Sequence, residues 1–109
     1  ARLRALVRRT LPARPSILAA GDLTLDPATH EVELAGTPVA LTPREYALLE
    51  YFLRHPGRVV SKIELGDNVW DATEDTDPNA VEVYVGYLRR KVGRNVLRTV
   101  RGAGYRLGP

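Results

Sequence analysis

The sequence contains no cysteine and no methionine among its 109 residues, and it has one tryptophan and one phenylalanine. The lack of cysteine excludes a disulfide framework and a thiolate metal site. Since the chain does not begin at an initiator methionine, we expect a fragment or a processed product. No run approaches the roughly 20 apolar residues that a membrane span needs, and no signal-peptide pattern opens the chain. We therefore expect a soluble, cytoplasmic protein.

Residues that carry catalysis are also scarce. The two histidines, His30 and His55, have no second histidine beside them and are interpreted as a turn residue and a helix-end residue. No group of carboxylates stands near a base. Residues 102–104, G-A-G, lie between two strands rather than in a strand-to-helix turn, so they do not form a phosphate-cradling loop. We predict that the chain is not an enzyme and uses no cofactor and no metal ion.

Positive charge is concentrated at the two ends of the chain. Residues 1–15 hold five arginines and no acid, so their net charge is +5. Residues 16–78 hold four basic and twelve acidic side chains, for −8, whereas residues 79–109 hold seven basic side chains and one acid, for +6. A localised basic surface is typical of a polyanion binder. A solvated basic face is the alternative that charge alone leaves open.

The longest predicted helix has the sequence D-P-N-A-V-E-V-Y-V-G-Y-L-R-R-K-V-G. Asp77 is its N-cap, Pro78 its first residue and Gly93 its stop. An apolar stripe at spacings of four, three and four faces the core: Val81, Val85, Leu88 and Val92. The opposite face is mixed and indicates a contact surface: Asn79, Val83, Gly86, Tyr87 and Arg90.

Two shorter helices are predicted before this one. The capping box T-P-R-E begins a helix over residues 42–55, and S-K-I-E begins a second that ends at Trp70. In the second helix we expect Ile63 and Val69 to face the core, with Leu65 as a further candidate. The acidic segment that follows Trp70 is too polar to pack and is expected at the surface.

The remaining segments predict strands and one terminal helix. Residues 16–41 alternate apolar and polar side chains between turn signals, which indicates a small antiparallel sheet. Residues 96–107 read as a β-hairpin whose tip, R-G-A-G, is basic. Residues 1–11 form an amphipathic pattern too short for a stable isolated helix. A basic arm that binds nucleic acid or a membrane surface is the alternative for that segment.

Three helices followed by a basic hairpin is the order of a winged helix–turn–helix, an α+β fold. In that geometry the third helix enters a major groove of DNA, and the hairpin, or wing, can place an arginine in the adjacent minor groove. A winged helix that binds only other proteins is the alternative function, and the charge asymmetry favours DNA.

Four motifs also carry a family resemblance: L-T-P-R-E-Y-A-L-L, H-P-G-R-V-V-S, V-E-V-Y-V-G-Y-L-R-R-K-V-G and L-R-T-V-R-G-A-G-Y-R-L. With them, residues 17–108 resemble the DNA-binding output domain of OmpR/PhoB-type two-component response regulators. The resemblance implies a four-stranded antiparallel N-terminal sheet, three helices and a C-terminal β-hairpin wing. It also divides the chain at residue 15. Residues 1–15 would be the end of a receiver domain's last helix plus a linker, and residues 16–109 the winged-helix domain.

The resemblance implies sequence-specific binding of double-stranded DNA by a phosphorylation-controlled transcription regulator. The base-facing residues would be Asn79, Ala80, Val83 and Tyr87. Phosphate or wing contacts would come from Trp70, Tyr84, Arg89, Arg90, Thr99, Arg101 and Tyr105, with Arg101 as the minor-groove arginine. The acids that touch RNA polymerase would be Asp71, Glu74, Asp75 and Asp77. Further implied partners are the receiver domain, its sensor kinase and a second copy of the chain on DNA.

Two positions depart from some relatives, which carry basic residues at Gly86 and Tyr87. A bidentate arginine–guanine contact is therefore not expected there, and Tyr87 would offer its hydroxyl or pack on a thymine methyl. Gly86 costs the helix about 1 kcal/mol relative to alanine, either for close approach of DNA or because a neighbouring element crowds it. Tyr84 either contacts a phosphate or packs against the wing. For Trp70 we expect a ring at the core's edge and an indole N–H available to a phosphate.

Overall fold

The computed structural model describes residues 17–70, 77–93 and 96–108, so the predicted helix over residues 1–11 lies outside the described residues. A four-stranded antiparallel sheet comes first, as the resemblance implied. Its strands lie side by side in chain order: β1 (Leu18–Ala20), β2 (Leu23–Asp26), β3 (Glu31–Leu34) and β4 (Thr37–Pro38). The alternation of buried and exposed positions gives the sheet one apolar face, with Leu23, Leu25 and Val32 in the core.

The turns of this sheet follow the sequence signals. Between β2 and β3, the Ala28 N–H donates to the Asp26 carboxylate at 3.0 Å, and His30 adopts a positive φ of 61°. His30 is exposed, as expected for a turn residue, and its ring also stacks on Tyr46 with centroids 4.2 Å apart. The fourth strand is shorter than the alternation up to residue 41 suggested. It ends at Pro38, and beyond it the Val39 N–H still donates to the Val32 carbonyl of β3 at 2.8 Å.

Three helices follow: α1 (Pro43–Leu53), α2 (Lys62–Val69) and α3 (Pro78–Val92). The capping box of α1 is confirmed, because the Glu45 N–H donates to the Thr42 hydroxyl at 3.2 Å and the Thr42 N–H donates to the Glu45 carboxylate at 3.0 Å. The N-cap and stop of α3 are confirmed at Asp77 and Gly93.

The second helix differs from its prediction in two ways. Ser61 caps α2 through the Glu64 N–H at 3.0 Å, but the Glu64 carboxylate accepts hydrogen bonds from Tyr51 and Arg58. The prediction that Ile63 faces the core is wrong, since its side chain is 72% exposed while Leu65 is fully buried. Residues two apart on a helix point in nearly opposite directions, so one helix face cannot hold both.

A second sheet joins the hairpin to the segment before α2. Its strands β5 (Val59–Val60), β6 (Leu97–Val100) and β7 (Gly104–Leu107) lie in the order β5-β7-β6, all antiparallel. The wing is therefore a hairpin of β6 and β7 with β5 paired to its inner strand. Because β5 leads directly into α2, the wing and the helices form one body.

The core lies between the two sheets and the three helices. The apolar stripe of α3 is almost completely buried, as predicted: Val81, Val85, Leu88 and Val92. Residues of α1 pack with it, including Leu48, Leu49 and Phe52. The core therefore fixes which face of α3 points outward. Within the described ranges, no helix is both long and apolar enough to cross a bilayer.

Charged groups on both flanks of α3 are tied to neighbouring elements. The Glu82 carboxylate accepts from Lys62 of α2 at 3.0 Å, and Lys91 donates to Glu45 of α1 at 2.7 Å. Burial raises the pKa of the Glu45 carboxyl, but the hydrogen bonds from Lys91 and the Thr42 N–H lower it by more, leaving its pKa below the usual range. The ionised carboxylate therefore links the first turn of α1 to the last turn of α3.

Candidate nucleic-acid interface

The outward face of α3 is available for contact. Val83 is 47% exposed and Tyr87 is 41% exposed. Asn79 is also exposed, and Ala80 is partly exposed. These four are the residues that the sequence assigned to base contacts, and the structure places them opposite the buried stripe. Their contact with bases stays a prediction.

A cleft of about 590 Å³ separates α3 from the wing and from the first turn of α2. Its lining includes Lys62, Glu82, Gly86, Arg89, Thr99 and Arg101. Three of these side chains are cationic and one is anionic, so the cleft carries a net positive charge. Arg101 lies in the exposed turn between β6 and β7. The cleft and the outer face of α3 together have the charge sign that a phosphate backbone requires.

Gly86 lies on the wall of this cleft. A Cβ built at Gly86 meets no heavy atom within 4 Å in the described part of the chain. None of the described residues therefore crowds Gly86, which contradicts one of the two explanations left open by the sequence as far as these residues are concerned. The helix accepts a cost of about 1 kcal/mol without any gain in internal packing. Close approach of a ligand to the backbone at this position is the remaining explanation.

Replacing Gly86 with alanine is expected to raise the stability of the domain and to lower its affinity for DNA. Gly86→Ala should raise the free energy of unfolding by up to about 1 kcal/mol, because alanine favours the helix and the added methyl meets open space. The same methyl should weaken duplex binding several-fold, because it fills the open space at Gly86 through which the DNA would approach the helix backbone. Denaturant unfolding and a duplex titration on one preparation check both values. Unchanged affinity would mean that DNA does not approach Gly86.

Aromatic rings form a continuous row from the end of α2 to the outer face of α3. Trp70 and Tyr84 meet edge-to-face with centroids 5.7 Å apart, and Tyr84 meets Tyr87 in the same way at 5.6 Å. Cationic groups cover both ends of the row. The Arg44 guanidinium lies 4.7 Å from the Trp70 ring centroid, and that of Arg90 lies 5.7 Å from the Tyr87 centroid. The row fixes the direction in which Tyr87 leaves the helix.

This row changes the interpretation of Tyr84 and Trp70. One alternative from the sequence was that Tyr84 packs against the wing. Tyr84 is half-buried, but its ring packs on Trp70 and Tyr87 instead. Trp70 is 8% exposed, with its ring at the edge of the core as expected. The sequence did not reveal the role of Arg44, which also donates to the Val69 carbonyl at 2.9 Å. Val69 and Trp70 lie 25 and 26 positions away from Arg44, beyond the reach of any local signal.

Three residues assigned to phosphate or wing contacts meet one another. Arg89 donates to Thr99 and lies over the ring of Tyr105, which is 5% exposed. Burial raises the pKa of the Tyr105 hydroxyl. Arg90, one residue further along α3, is exposed. Phosphate contacts by these residues stay predictions.

The acids assigned to polymerase contact lie mostly outside the described residues. Asp71, Glu74 and Asp75 fall in residues 71–76, of which the structure describes nothing. Asp77 is described, and its carboxylate accepts from the Asn79 N–H at 2.8 Å, as an N-cap does. One of the four proposed acids therefore has a local structural role in α3.

A helix with an exposed outer face beside a basic wing defines a winged helix–turn–helix of the DNA-binding class. The chain belongs to the family described as transcriptional regulatory protein, C terminal, whose model matches residues 36–107. This is the OmpR/PhoB-type output domain that the four motifs resemble, and the prediction of a DNA-binding output domain is confirmed. The family is one of transcription regulators and not a class of enzymes.

Individual relatives agree with this assignment. Response regulator protein PmrA of Pseudomonas aeruginosa is 50% identical over 105 residues, covering 96% of this chain and 48% of PmrA. The chain thus spans about half the length of the curated relatives it matches.

Solved structures confirm the fold. The DNA-binding domain of Klebsiella pneumoniae RstA, in complex with the RstA box, superposes with a TM-score of 0.77 at 30% identity, over 85% of this chain and 97% of that one. Response regulator DrrB, a Thermotoga maritima OmpR/PhoB homolog, has a TM-score of 0.79 at 22% identity, over 86% of this chain and 45% of that one.

Proposed function

We propose that the domain binds double-stranded DNA in a sequence-specific manner, with α3 in the major groove and the wing in the adjacent minor groove. The observation that carries this proposal is the basic cleft between α3 and the wing, with Gly86 left open on its wall. A major groove about 12 Å wide admits one helix, and the buried stripe of α3 leaves its other face for the bases.

The base-reading residues would lie in the first three turns of α3. Asn79 offers the amide that pairs with the edge of adenine, and Val83 and Ala80 offer apolar contact to thymine methyl groups. Tyr87 would add its hydroxyl or its ring, held in direction by Tyr84. Specificity would thus rest on an amide, aliphatic groups and a tyrosine rather than on arginine–guanine pairs.

Contacts with the DNA backbone would surround these bases. Arg90 is the exposed cation of α3 beside Tyr87, and Trp70 and Tyr84 lie along the same row. On the wing, Thr99 and Arg101 line the cleft, and Arg101 would enter the minor groove, where negative potential attracts arginine.

The wider context is also a proposal. The domain would serve as the output half of a cytoplasmic, phosphorylation-controlled regulator whose receiver domain precedes residue 16 and responds to a sensor kinase. Its relatives named as response regulators are about twice its length, which supports this view. Two copies would bind repeated half-sites, and the acidic residues 71–77 would contact RNA polymerase.

A salt titration tests the proposal against the alternative of a protein-interaction module. Each neutralised phosphate contributes roughly −0.9 to the slope of log affinity against log salt. Contacts to three or more phosphates should therefore give a slope of about −3 or steeper on a duplex selected from a random pool. A scrambled duplex should bind more weakly. A flat response would favour the protein-interaction module, and equal binding of both duplexes would contradict the sequence specificity.

A further inference from the structure

We propose that Arg89 is a positioning residue that joins α3 to the wing and so sets the spacing between the two DNA-reading elements. The inference rests on the proposed function and deepens it. The family resemblance implied that Arg89 contacts a phosphate of the DNA. The contacts of its guanidinium indicate a different role.

The Arg89 side chain reaches both strands of the wing. Its Nε donates to the Leu97 carbonyl of β6 at 3.0 Å, and a terminal nitrogen donates to the Thr99 hydroxyl of the same strand. The guanidinium lies 5.3 Å from the centroid of the Tyr105 ring on β7. Thr99 and Tyr105 are direct register partners across the hairpin. One side chain of α3 therefore holds a cross-strand pair of the wing.

Only a guanidinium can make this set of contacts. Its N–H donors point in fixed directions within one plane, which suits two acceptors two residues apart on a strand, while the face of the plane remains free to cover an aromatic ring. A lysine ammonium keeps the charge but lacks both the fork and the face. The site thus selects arginine for its shape as well as for its charge.

The neighbouring cations show a division of roles along the triplet 89–91. Lys91 is bound to Glu45 of α1, and Arg89 is bound to the wing. Arg90 is exposed, with its guanidinium near the Tyr87 ring. At about 100° per residue, three consecutive side chains of a helix point to three different sides. Two of these sides meet protein, and the third meets solvent, or DNA when DNA is bound.

The decisive comparison is Arg89→Lys against Arg89→Ala on the selected duplex. A phosphate contact would survive in the lysine variant, because its charge is kept. A positioning role would not, so Arg89→Lys should lose about fivefold or more in affinity and fall close to Arg89→Ala. Arg54→Lys is the matched control, the same change at an exposed arginine at the end of α1 that pairs with Glu50 at 2.9 Å, and it should bind nearly as well as the unmodified domain. An Arg89→Lys variant with unchanged affinity would overturn the proposal.

A double-mutant cycle with Arg101→Ala separates positioning from general destabilisation. If Arg89 acts through the wing, Arg89→Lys should lower the affinity less than about twofold in the Arg101→Ala background, because the wing then lacks the arginine through which it contacts DNA. Equal losses in both backgrounds would overturn the proposal. All variants are measured at a temperature where each is fully folded.

Amide hydrogen exchange without DNA gives a readout that does not depend on the proposed function. Residues 97–107 should exchange faster in Arg89→Lys, while α1 keeps the protection of the unmodified domain. A wing with unchanged protection would overturn the positioning role even if DNA binding were confirmed. Conversely, faster exchange in a domain that binds no DNA would support the positioning role of Arg89 and contradict only the proposed function.

Discussion

Gly104→Ala should destabilise the domain by about 3 kcal/mol or more, a large share of the 5–15 kcal/mol typical of a folded domain. A Cβ at this position would lie 2.1 Å from the Val60 carbonyl oxygen and 2.8 Å from the Ser61 Cα. Both atoms belong to the backbone, so neither can move without shifting β5 and the start of α2. The φ of Gly104 is also +143°, a conformation that side-chain-bearing residues rarely adopt.

Gly102→Ala is the matched control for this change. Gly102 has a positive φ of 76°, but a Cβ there meets nothing within 4 Å in the described residues. It should cost only backbone strain, about 1 kcal/mol. Denaturant unfolding of both variants measures the difference. Equal stabilities would contradict the close packing of the wing on β5.

Arg101→Ala should weaken binding about tenfold or more on every duplex, and most on sites with a narrow minor groove, where the potential is most negative. Arg101 stands in the exposed turn of the wing and lines the cleft beside α3. The loss of this one contact should also make the slope of log affinity against log salt less steep by about 1. Fluorescence titration against a selected duplex at several salt concentrations measures both effects.

Arg54→Ala is the control for the lost charge. Arg54 is the exposed C-cap of α1, paired with Glu50 of the same helix at 2.9 Å, and it does not line the cleft. Since Arg54 belongs neither to α3 nor to the wing and does not line the cleft, its removal should leave affinity within about twofold. If Arg101→Ala also left the affinity unchanged, the wing would have no part in the mechanism.

Local signals in the sequence predicted much of this fold. The bounds of α3 are confirmed because an N-cap aspartate, a first-turn proline, a terminal glycine and an apolar stripe all lie within one segment. The capping box of α1 and the basic hairpin are equally local. Ile63 was placed wrongly because α2 has few apolar residues, and spacing alone did not decide which of them share a face.

Contacts between distant segments could not be predicted. The pairing of β5 with β7 joins residues about 45 positions apart, and the ion pair of Glu45 with Lys91 spans 46 positions. The same holds for Arg89, which the resemblance assigned to a phosphate contact, while its neighbours in the structure are residues of the wing. On the outer face of α3, the sequence indicated which residues point outward, and the structure added which neighbours they pack on.

The central claim is that α3 and the wing enter adjacent grooves of one duplex. Because the sequence has no cysteine, a cysteine placed at the exposed tip residue Ala103 would be the only thiol and could carry an iron chelate that cleaves nearby DNA. On the selected duplex, cleavage should centre on the minor groove beside the major-groove segment that the domain protects. Cleavage without a fixed position, or the same weak pattern as from a chelate at Arg54→Cys, would contradict the claim.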